Sequence, residues 1–415
     1  MVTVIMVTVI RYTDLKNLEK LKPPLLIYGR RKTGKTFLAK SYFKNAEYFF
    51  VKRNRTIFWE SKRRTLGYNE LINVLEALGE KLVIIDEFHR LPEEFLDYLH
   101  MKQPKNIVLI TSTLFLAKNI LAERSPILGL FLEYRVDLID ERDILVNLSK
   151  YFKGSELLEK SVFMREPILL QWAEQPLFEV LRRLKLTVPA LVGEVFLEED
   201  RKLTERYEGI LRAISCGKQT ISKMTGYLYS RRLIDSQNPS LVKSYVRNLL
   251  EIGLIKRYRE YGREKNYYLV TSPMIDLYFY LDEKYNYAET ELSEKYFREK
   301  LPFYIEDFIR NLLAKTFNLK IFMIRKPDLE VDIALGDFRK LKLIGEVKWR
   351  RKIKREELRR IEENLNKFHN VRKILVTPDK SDIEIRSKDI EIWDTGDLLS
   401  LARLSTKNTR PQFTS

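Results

Sequence analysis

The feature that most constrains this chain is a loop, GRRKTGKT, that runs from Gly29 to Thr36. It lies between an apolar segment, LLIY, and an amphipathic segment, FLAKSYF, and it matches the pattern G-x-x-x-x-G-K-[ST] of a P-loop. Such a loop must wrap a phosphate chain with its backbone N–H groups pointing inward, and glycines permit that path. The sequence therefore predicts a strand, a phosphate-binding loop and a helix in succession.

The loop predicts a site for ATP or ADP with Mg²⁺. We expect Lys35 to reach the β- and γ-phosphates and the Thr36 hydroxyl to ligate the magnesium ion. The helix that follows directs the positive end of its dipole towards the phosphates. The residues predicted to contact the nucleotide are Gly29, Arg30, Arg31, Lys32, Thr33, Gly34, Lys35, Thr36 and Phe37.

A second apolar strand, LVIIDE, ends in Asp86 and Glu87, as a Walker B strand does. Asp86 is expected to support the magnesium ion, and Glu87 is expected to polarise the attacking water. The next strand ends in ITST, where Ser112 is the predicted sensor of the γ-phosphate or the water. Glu87, Lys35 and Ser112 are thus the candidate catalytic residues.

Residues 1–140 predict a P-loop α/β core. Apolar strands end at Gly29, near Phe50, at Asp86 and at Thr111, and a further strand is predicted at VDLI, residues 136–139. Near-continuous apolar strands separated by helical segments are typical of a parallel sheet covered on both faces. The duplicated N-terminus, MVTVIMVTVI, is interpreted as a buried β-strand or an upstream alternative start.

The remainder of the chain divides into further predicted segments. Residues 141–204 have a helical pattern, and residues 205–285 predict three helices and a hairpin, the order of a winged helix. A charged connector spans 286–301, a mixed α/β domain spans 302–404, and a polar tail, 405–415, is predicted to be disordered.

The third helix of the predicted winged helix has an expected apolar stripe and an exposed basic face. Lys243 and Arg247 lie on that face, and Gly253 suits the C-terminal cap. The functional interpretation places this helix in a DNA major groove and the wing on phosphates. The alternative is a winged helix that binds protein. The stripe is Leu241, Tyr245, Leu249 and Ile252, and the basic wing is Lys256, Arg257, Arg259, Arg263 and Lys265.

The C-terminal domain carries the pattern of a PD-(D/E)xK nuclease, a restriction-endonuclease-like α/β fold. Asp332 lies on one strand, and Glu346 and Lys348 share a face of the next. Asp332 and Glu346 are candidate ligands of a second cation, Mg²⁺ or Mn²⁺, with Glu306 as a further ligand and Lys348 acting on the water. The alternative is an inactive nuclease fold kept for binding.

Charge and cysteine content limit the partners and the compartment. The formal net charge is +17, from 75 Lys+Arg and 58 Asp+Glu. This excess of positive charge favours a polyanionic binding partner such as double-stranded DNA, although a basic surface can also serve solubility alone. The single cysteine, Cys216, excludes an intrachain disulfide and fits a cytoplasmic location. No apolar run reaches the roughly 18–20 residues that a membrane span requires.

These motifs resemble the archaeal branch of the AAA-like ATPases related to the signal-transduction ATPases with numerous domains. GRRKTGKT, IIDEFHRL and the RYTDLKNL segment near Arg11 carry the resemblance. It implies an ATPase core with a helical lid, then a winged helix and a nuclease-fold domain. It also implies an arginine after the sensor strand, where this chain has Leu130. Turnover is then slow, or Arg135 substitutes; Arg124 is the other candidate arginine finger.

Three functions are compatible with these features. The first is a magnesium-dependent ATPase whose nucleotide state regulates DNA binding or processing. The second is a signalling-type ATP switch for protein partners with no DNA role. The third is a metal-dependent DNA endonuclease. A homo-oligomer or a protein partner is compatible with each of them.

Overall fold

The computed structural model describes residues 7–112, 127, 129–198, 204–326, 329–338, 340–350, 352–383 and 389–407. They form two compact units. The P-loop unit comprises the described residues of Arg11–Leu138 and Ala190–Leu203. The helix–sheet unit comprises the described residues up to Ile10, those of Ile139–Pro189, and those from Thr204 onward.

The P-loop unit is built on a seven-stranded sheet with the order β4-β3-β2-β5-β6-β1-β7. β2, β5, β6, β1 and β7 are parallel neighbours, which confirms the predicted parallel α/β sheet. The strands are β1 (Leu25–Tyr28), β2 (Glu47–Val51), β3 (Ile57–Trp59), β4 (Arg64–Leu66), β5 (Val83–Asp86), β6 (Ile107–Thr111) and β7 (Leu132–Arg135). The helices are α1 (Tyr12–Glu19), α2 (Lys35–Tyr42), α3 (Tyr68–Leu78) and α4 (Glu94–Lys102), with a 3-10 turn at Phe88–Arg90.

Both faces of this sheet are covered by apolar side chains. Alternate residues of β1 point to opposite faces, as the two-residue period of a strand requires. Leu26 joins a core cluster with Phe49 and Ile85, whereas Leu25 and Ile27 join a second cluster on the other face. The central strands are therefore buried on both sides, which explains their near-continuous apolar sequences.

One predicted strand of this region is wrong, and the N-terminal prediction is tested only in part. The fifth parallel strand is Leu132–Arg135, and residues 136–139 are not a strand. Val136 and Ile139 are buried as loop residues, so their apolar character reflects burial rather than pairing. Residues 7–10 are not a strand either, although Val7 and Val9 are buried; residues 1–6 lie outside the described part. The antiparallel pair β3–β4 was not predicted.

The helix–sheet unit begins with helices and ends with a mixed sheet. Polar caps and prolines set several helix starts: Asn238 precedes Pro239, and Ser272 precedes Pro273. Its helices are Glu141–Leu148, Gly154–Met164, Leu177–Arg182, Glu205–Ser215, Ile221–Ser230, Pro239–Glu251, Pro273–Tyr285, Glu294–Arg298, Leu301–Phe317, Arg355–Asn366 and Thr395–Lys407, with 3-10 turns at Pro167–Trp172 and Lys380–Asp382. The helix Thr187–Glu198 contributes residues from Ala190 onward to the P-loop unit.

The sheet of this unit has seven strands in the order β14-β13-β12-β11-β10-β8-β9. β8 and β9 form the antiparallel hairpin of the predicted wing, and β8 also pairs in parallel with β10. The Tyr261 N–H extends this junction by donating to the Met323 carbonyl at 2.9 Å. The strands are β8 (Ile255–Glu260), β9 (Asn266–Val270), β10 (Lys320–Lys326), β11 (Leu329–Asp337), β12 (Lys340–Val347), β13 (Arg372–Val376) and β14 (Glu391–Trp393).

The hairpin and the C-terminal strands thus share one continuous sheet. The predicted segments 205–285, 286–301 and 302–404 all belong to the helix–sheet unit. The predicted stripe of Pro239–Glu251 needs a correction, because Val242 and Val246 are buried beside Leu249, while Leu241 is exposed. Among the described residues, no helix is long and apolar enough to cross a membrane.

Candidate nucleotide-binding site

The P-loop connects β1 to α2 through two glycines with positive φ. Gly29 has φ +149°, and a Cβ atom there would lie 2.2 Å from the Val136 carbonyl oxygen. Gly34 has φ +88° and caps the N-terminus of α2. The first glycine is required by close approach of the chain beside β7, and the second by the left-handed turn into the helix.

Lys35 lies inside the loop, and its side chain is buried. Its Nζ donates to the Gly29 carbonyl at 2.8 Å and to the Arg30 carbonyl at 3.0 Å. The ammonium group is therefore held by the loop itself at the start of α2. This arrangement places a positive charge where a P-loop binds the β- and γ-phosphates.

One carboxylate oxygen of Asp86 accepts hydrogen bonds from two hydroxyl groups. The Thr36 hydroxyl donates to Asp86 Oδ2 at 2.5 Å, and the Tyr48 hydroxyl donates to the same atom at 2.7 Å. Burial and the nearby Asp86 charge raise the pKa of Tyr48, so this phenol stays a donor at neutral pH. The P-loop and the end of β5 are thus joined directly, as a shared magnesium site requires.

Tyr48 was not predicted as a site residue. It lies on β2 beside β5, with Tyr48 opposite Ile84, and only the strand order reveals that it faces Asp86. The sequence signal, one tyrosine in the apolar run YFFV, is indistinguishable from core packing.

Glu87 lies in a left-handed turn directly after β5, with φ +56°. Its carboxylate accepts from the Ser112 hydroxyl at 3.1 Å and forms an ion pair with Arg90 at 3.2 Å. His89 lies 3.5 Å from the same oxygen, and Thr111 lies 3.1 Å from the other nitrogen of that imidazole. Glu87 and Ser112, the predicted water-activating and sensing residues, are therefore adjacent. Arg90 is an additional partner of Glu87 that the sequence did not predict.

Arg11 is hydrogen-bonded to the P-loop. Its guanidinium donates to the Thr33 carbonyl at 2.5 Å and to the Asp137 carbonyl at 2.8 Å, and it pairs with Asp14 at 2.6 Å. The Tyr134 hydroxyl donates to the other oxygen of Asp14 at 2.6 Å. These bonds fix one side of the P-loop, so Arg11 is a positioning residue. Its spacing of three from Asp14, in the RYTDLKNL segment, is the signal that could have found it.

The remaining predicted loop residues differ in exposure. Arg30 and Thr33 are buried, whereas Phe37 is exposed on the outer side of α2. Arg31 forms an ion pair with Glu194 at 2.9 Å, which connects the loop to the helix Thr187–Glu198. Lys32 has φ +64°, so the loop carries left-handed turns beside those of its glycines.

The candidate arginine fingers remain predictions. Arg124 lies outside the described residues. Arg135, on β7, forms an ion pair with Asp137 at 2.9 Å. Leu130, which stands where the family resemblance implies arginine, packs against the apolar cluster of Leu26 and Phe49.

A second group of predicted residues lies in the helix–sheet unit. Lys348 Nζ lies 2.7 Å from Glu346 Oε2 and 3.7 Å from Asp332 Oδ2, and the Val347 N–H donates to Asp332 Oδ2 at 2.9 Å. Burial, followed by the Asp332 charge, raises the pKa of Glu306 to about 8 and that of Glu346 to about 7. These four side chains therefore share one electrostatic environment.

The cation ligands expected in this second group stay a prediction. Over the described part of the chain, no group of three or more His, Cys, Asp or Glu side chains could hold a metal ion. The ammonium group of Lys348 instead engages both Glu346 and Asp332. Glu306, Asp332 and Glu346 remain candidate ligands, with Lys348 beside two of them.

The predicted DNA-facing cations fall into two sets. Lys243 and Arg247 are exposed on Pro239–Glu251. In the hairpin, Lys256 pairs with Asp307, while Arg263 and Lys265 lie 3.6 Å and 3.4 Å from the buried Glu260. Much of the predicted wing charge is thus paired within the unit.

Comparisons with known proteins agree with the P-loop geometry. Residues 21–131 match the AAA domain family. The uncharacterised protein MJECL04 of Methanocaldococcus jannaschii is 24% identical over 431 residues, covering 90% of this chain and 93% of the relative.

Two similar solved structures are also archaeal. The Walker-type ATPase PABY2304 of Pyrococcus abyssi has a TM-score of 0.48 and 19% identity, covering 65% of this chain and 94% of that one. The ORC1 protein of Aeropyrum pernix, solved in complex with DNA, has a TM-score of 0.30 and 15% identity, covering 68% and 94%.

The family match contains β1 to β6, ends just before β7, and includes the P-loop, the Asp86–Glu87 pair and Ser112. Within it, Lys35 is hydrogen-bonded to the P-loop backbone and Thr36 is hydrogen-bonded to Asp86. Residues 21–131 therefore match the AAA domain family and contain the residues of a P-loop nucleotide site.

Proposed function

We propose that this protein hydrolyses ATP with magnesium and that its nucleotide state regulates DNA binding or processing by the helix–sheet unit. The hydrogen bond from Thr36 to Asp86, at 2.5 Å, carries the first part of the proposal. It joins the P-loop to the end of the Walker B strand, two groups that act on one magnesium ion in P-loop ATPases.

The expected reaction uses residues already in reach of one another. Lys35 and the loop N–H groups bind the phosphates, and Thr36 and Asp86 would hold the magnesium ion, which neutralises charge that develops on the phosphates. Glu87 orients a water molecule whose oxygen attacks the γ-phosphorus, while the bond to the bridging β–γ oxygen breaks. ADP and phosphate are released, and the water proton passes to the phosphate product or to solvent.

Glu87 needs its carboxylate free to orient water. In this structure the carboxylate pairs with Arg90 and accepts from Ser112. We infer that a bound γ-phosphate competes for Ser112 and releases Glu87 towards the water. Ser112 would then report the presence of the γ-phosphate to the catalytic carboxylate.

A first test compares two lysine variants. Lys35→Ala removes the phosphate-binding ammonium and is expected to lower magnesium-dependent ATP hydrolysis by at least about a hundredfold, since such charge stabilisation is worth roughly 3–4 kcal/mol. Lys105→Ala, at an exposed position before β6, is the matched control and should retain wild-type activity. Equal hydrolysis by Lys35→Ala and wild type would exclude the P-loop as the active site.

The DNA part of the proposal is supported by the net charge of +17 and by the exposed Lys243 and Arg247. Binding through phosphate contacts must weaken as salt rises. Affinity for duplex DNA that is undetectable at low salt, together with tight ATP binding, would favour the alternative of an ATP switch for protein partners.

DNA cleavage is a second candidate function, favoured by the convergence of Asp332, Glu346 and Lys348. Plasmid nicking in Mg²⁺ or Mn²⁺ tests it. Glu346→Gln should abolish nicking, and Glu356→Gln, at an exposed helical position, should not. Nicking that survives Glu346→Gln would exclude this group as its cause.

A further inference from the structure

A cleft of about 890 Å³ opens on the helix–sheet unit. Its walls are the hairpin β8–β9, the C-terminal half of the helix Leu301–Phe317, and the start of β10. It exists because β8 pairs with β10, which brings the hairpin alongside the C-terminal strands. The Glu306, Asp332 and Glu346 side chains are not part of its lining.

The lining of the cleft is basic. Arg257 and Arg259 are two residues apart on β8, so both side chains emerge on one face of the strand. Lys320 also lines the cleft, at the start of the neighbouring strand β10. Among the described residues, neither Arg257 nor Lys320 has a carboxylate partner. These two cations are therefore available to a ligand.

Two other charges in the cleft contribute less. Arg259 lies 3.5 Å from Glu264, whose side chain is 97% exposed, so that pair is solvent-screened and weak. Lys315 is already engaged by Asp140 at 3.1 Å and by Glu141 at 2.6 Å. The cleft retains an excess of positive charge that Arg257, Arg259 and Lys320 supply.

An exposed aromatic ring stands at the rim. Phe338 is 79% exposed and has φ +48°, a backbone conformation that bulky residues rarely adopt. The turn that holds it joins β11 to β12, and Lys320 Nζ lies 5.5 Å from the ring centroid. An apolar ring kept in water by a strained turn suggests a binding role rather than a packing role.

We propose that this cleft binds a single strand of nucleic acid. Arg257, Arg259 and Lys320 contact successive phosphates, and an unpaired base stacks on Phe338. The proposal rests on the DNA-binding role proposed above and names the surface and the form of nucleic acid for it. It differs from a wing that lies on duplex DNA, because the cations of the hairpin face a cleft.

A single strand fits these features better than a duplex or an acidic peptide. In a duplex the faces of the bases are stacked on one another, and an exposed ring has no base face to contact. An acidic peptide would satisfy the arginines but would leave the role of the exposed ring unexplained. A strand uses the cations and the ring together.

The test is a titration of the full chain against a fluorescein-labelled oligothymidylate and against its duplex with oligodeoxyadenylate, followed by anisotropy. Phe338→Ala should weaken binding of the strand by about tenfold, in the range measured for a base stacked on an aromatic side chain, and should leave duplex binding unchanged. Phe338→Trp should restore strand binding.

Matched double variants locate the phosphate contacts. Arg257→Ala with Arg259→Ala should weaken strand binding and lower the magnitude of the slope of log affinity against log salt by about 1.4 units, since each single-strand phosphate contact contributes about 0.7. Lys22→Ala with Lys105→Ala removes the same charge from exposed positions outside the proposed surfaces and should change neither quantity, whereas Lys243→Ala with Arg247→Ala tests the helix Pro239–Glu251 as the rival surface. Circular dichroism and ATP hydrolysis of each variant serve as controls of folding.

Each contrary outcome has a separate meaning. If only the Lys243 and Arg247 pair matters, or if Phe338→Ala binds normally, the cleft assignment is wrong and DNA binding stands. If neither the strand nor the duplex binds while Lys35-dependent ATP hydrolysis persists, the cleft and the DNA role both fail and the ATPase stands. Binding of an oligoglutamate in place of the strand would also overturn the assignment.

Discussion

At the scale of single residues, Asp86 connects the P-loop to the neighbouring strand β2 in the candidate nucleotide site. Its Oδ2 accepts from Thr36 and from Tyr48. A magnesium ion at this site would compete for the same oxygen and for the Thr36 hydroxyl. Tyr48 would then be the remaining partner that fixes the carboxylate, so it is a positioning residue rather than a catalytic one.

Tyr48→Phe removes this hydrogen bond without changing the ring. Because a bond of this kind contributes about 0.5–1.5 kcal/mol, we expect the magnesium concentration for half-maximal ATP hydrolysis to rise about two- to tenfold. The rate at saturating magnesium should change little. Tyr42→Phe, a tyrosine packed edge-on against Phe43, is the control. A fall in the saturated rate with unchanged magnesium dependence would contradict the positioning role.

The raised pKa of Glu306 has a consequence for stability. Its pKa of about 8 lies above its ordinary value of 4.5, so the folded chain holds a proton that the unfolded chain releases between these values. Stability that Glu306 contributes is therefore present below about pH 4.5 and is lost as the pH rises to about 8.

Glu306→Gln should flatten the pH dependence of unfolding in this window and should be more stable than wild type at pH 8. Urea unfolding in a chelator, at pH values between 5 and 8, measures the effect. Glu356→Gln, an exposed glutamate of the helix Arg355–Asn366, should follow the wild-type curve. If the free energy of unfolding of wild type and of Glu306→Gln varied with pH in the same way, the raised pKa of Glu306 would be contradicted.

At the scale of elements, local patterns predicted the central structure well. Tyr68–Leu78, which lies between two of the predicted strands, is an amphipathic helix, and the apolar strands at Leu25, Val83 and Ile107 form the sheet. Their two-sided burial produces a strong sequence signal. The P-loop itself is recognisable because its chemistry fixes residue types at fixed positions.

The sequence did not predict the edge strand or the long-range strand pairings. Leu132–Arg135 is an edge strand with mostly exposed side chains, so its sequence LEYR lacks the apolar run that marks a buried strand. The apolar VDLI beside it is buried as loop. The pairing of β8 with β10 joins segments far apart in the chain, and neither sequence contains a signal for the other. For the same reason Tyr48 and the cleft could not be foreseen.

The close approach of β12 and β13 yields a test of the second sheet. A Cβ atom on Gly345 would lie 2.4 Å from Ile374 Cγ1 and 2.8 Å from its carbonyl oxygen. Gly345→Ala should therefore destabilise the helix–sheet unit by about 1–3 kcal/mol or more. Gly226, inside the helix Ile221–Ser230, has open space around it, and Gly226→Ala should stabilise by about 0.5–1 kcal/mol.

Thermal unfolding of the two glycine variants, followed by circular dichroism, measures both effects in one unit. The diagnostic result is that Gly345→Ala lowers the unfolding temperature and Gly226→Ala raises it. A Gly345→Ala variant as stable as wild type would contradict the described spacing of β12 and β13.

At the scale of the whole molecule, the chain joins the P-loop unit, for which we propose ATP hydrolysis, to the helix–sheet unit, for which we propose binding of nucleic acid. The two units are continuous in sequence at Leu138 and Ile139. Directly after this junction, Glu141 pairs with Arg165 at 2.7 Å and with Lys315 at 2.6 Å. The start of the helix–sheet unit is thus fixed to the helix that also forms the cleft wall.

The proposed regulation by nucleotide predicts that nucleotide state changes affinity for nucleic acid. Anisotropy titrations of the Glu87→Gln variant with ATP, and of the wild type with ADP, compare the two states under equal salt. We expect the affinities to differ by about 5- to 150-fold, the usual range for coupled sites, and ATP affinity to shift by the same factor when nucleic acid is present. Equal affinities in both states would contradict regulation by nucleotide.

The central claim is that the loop from Gly29 to Thr36 and the pair Asp86–Glu87 form one magnesium–ATP hydrolysis site. Its most direct test measures ATP binding and phosphate release side by side in wild type, Lys35→Ala and Glu87→Gln. We predict that wild type binds and hydrolyses, that Lys35→Ala loses both functions, and that Glu87→Gln binds ATP but releases little phosphate. Phosphate release by Lys35→Ala at the wild-type rate would contradict the claim.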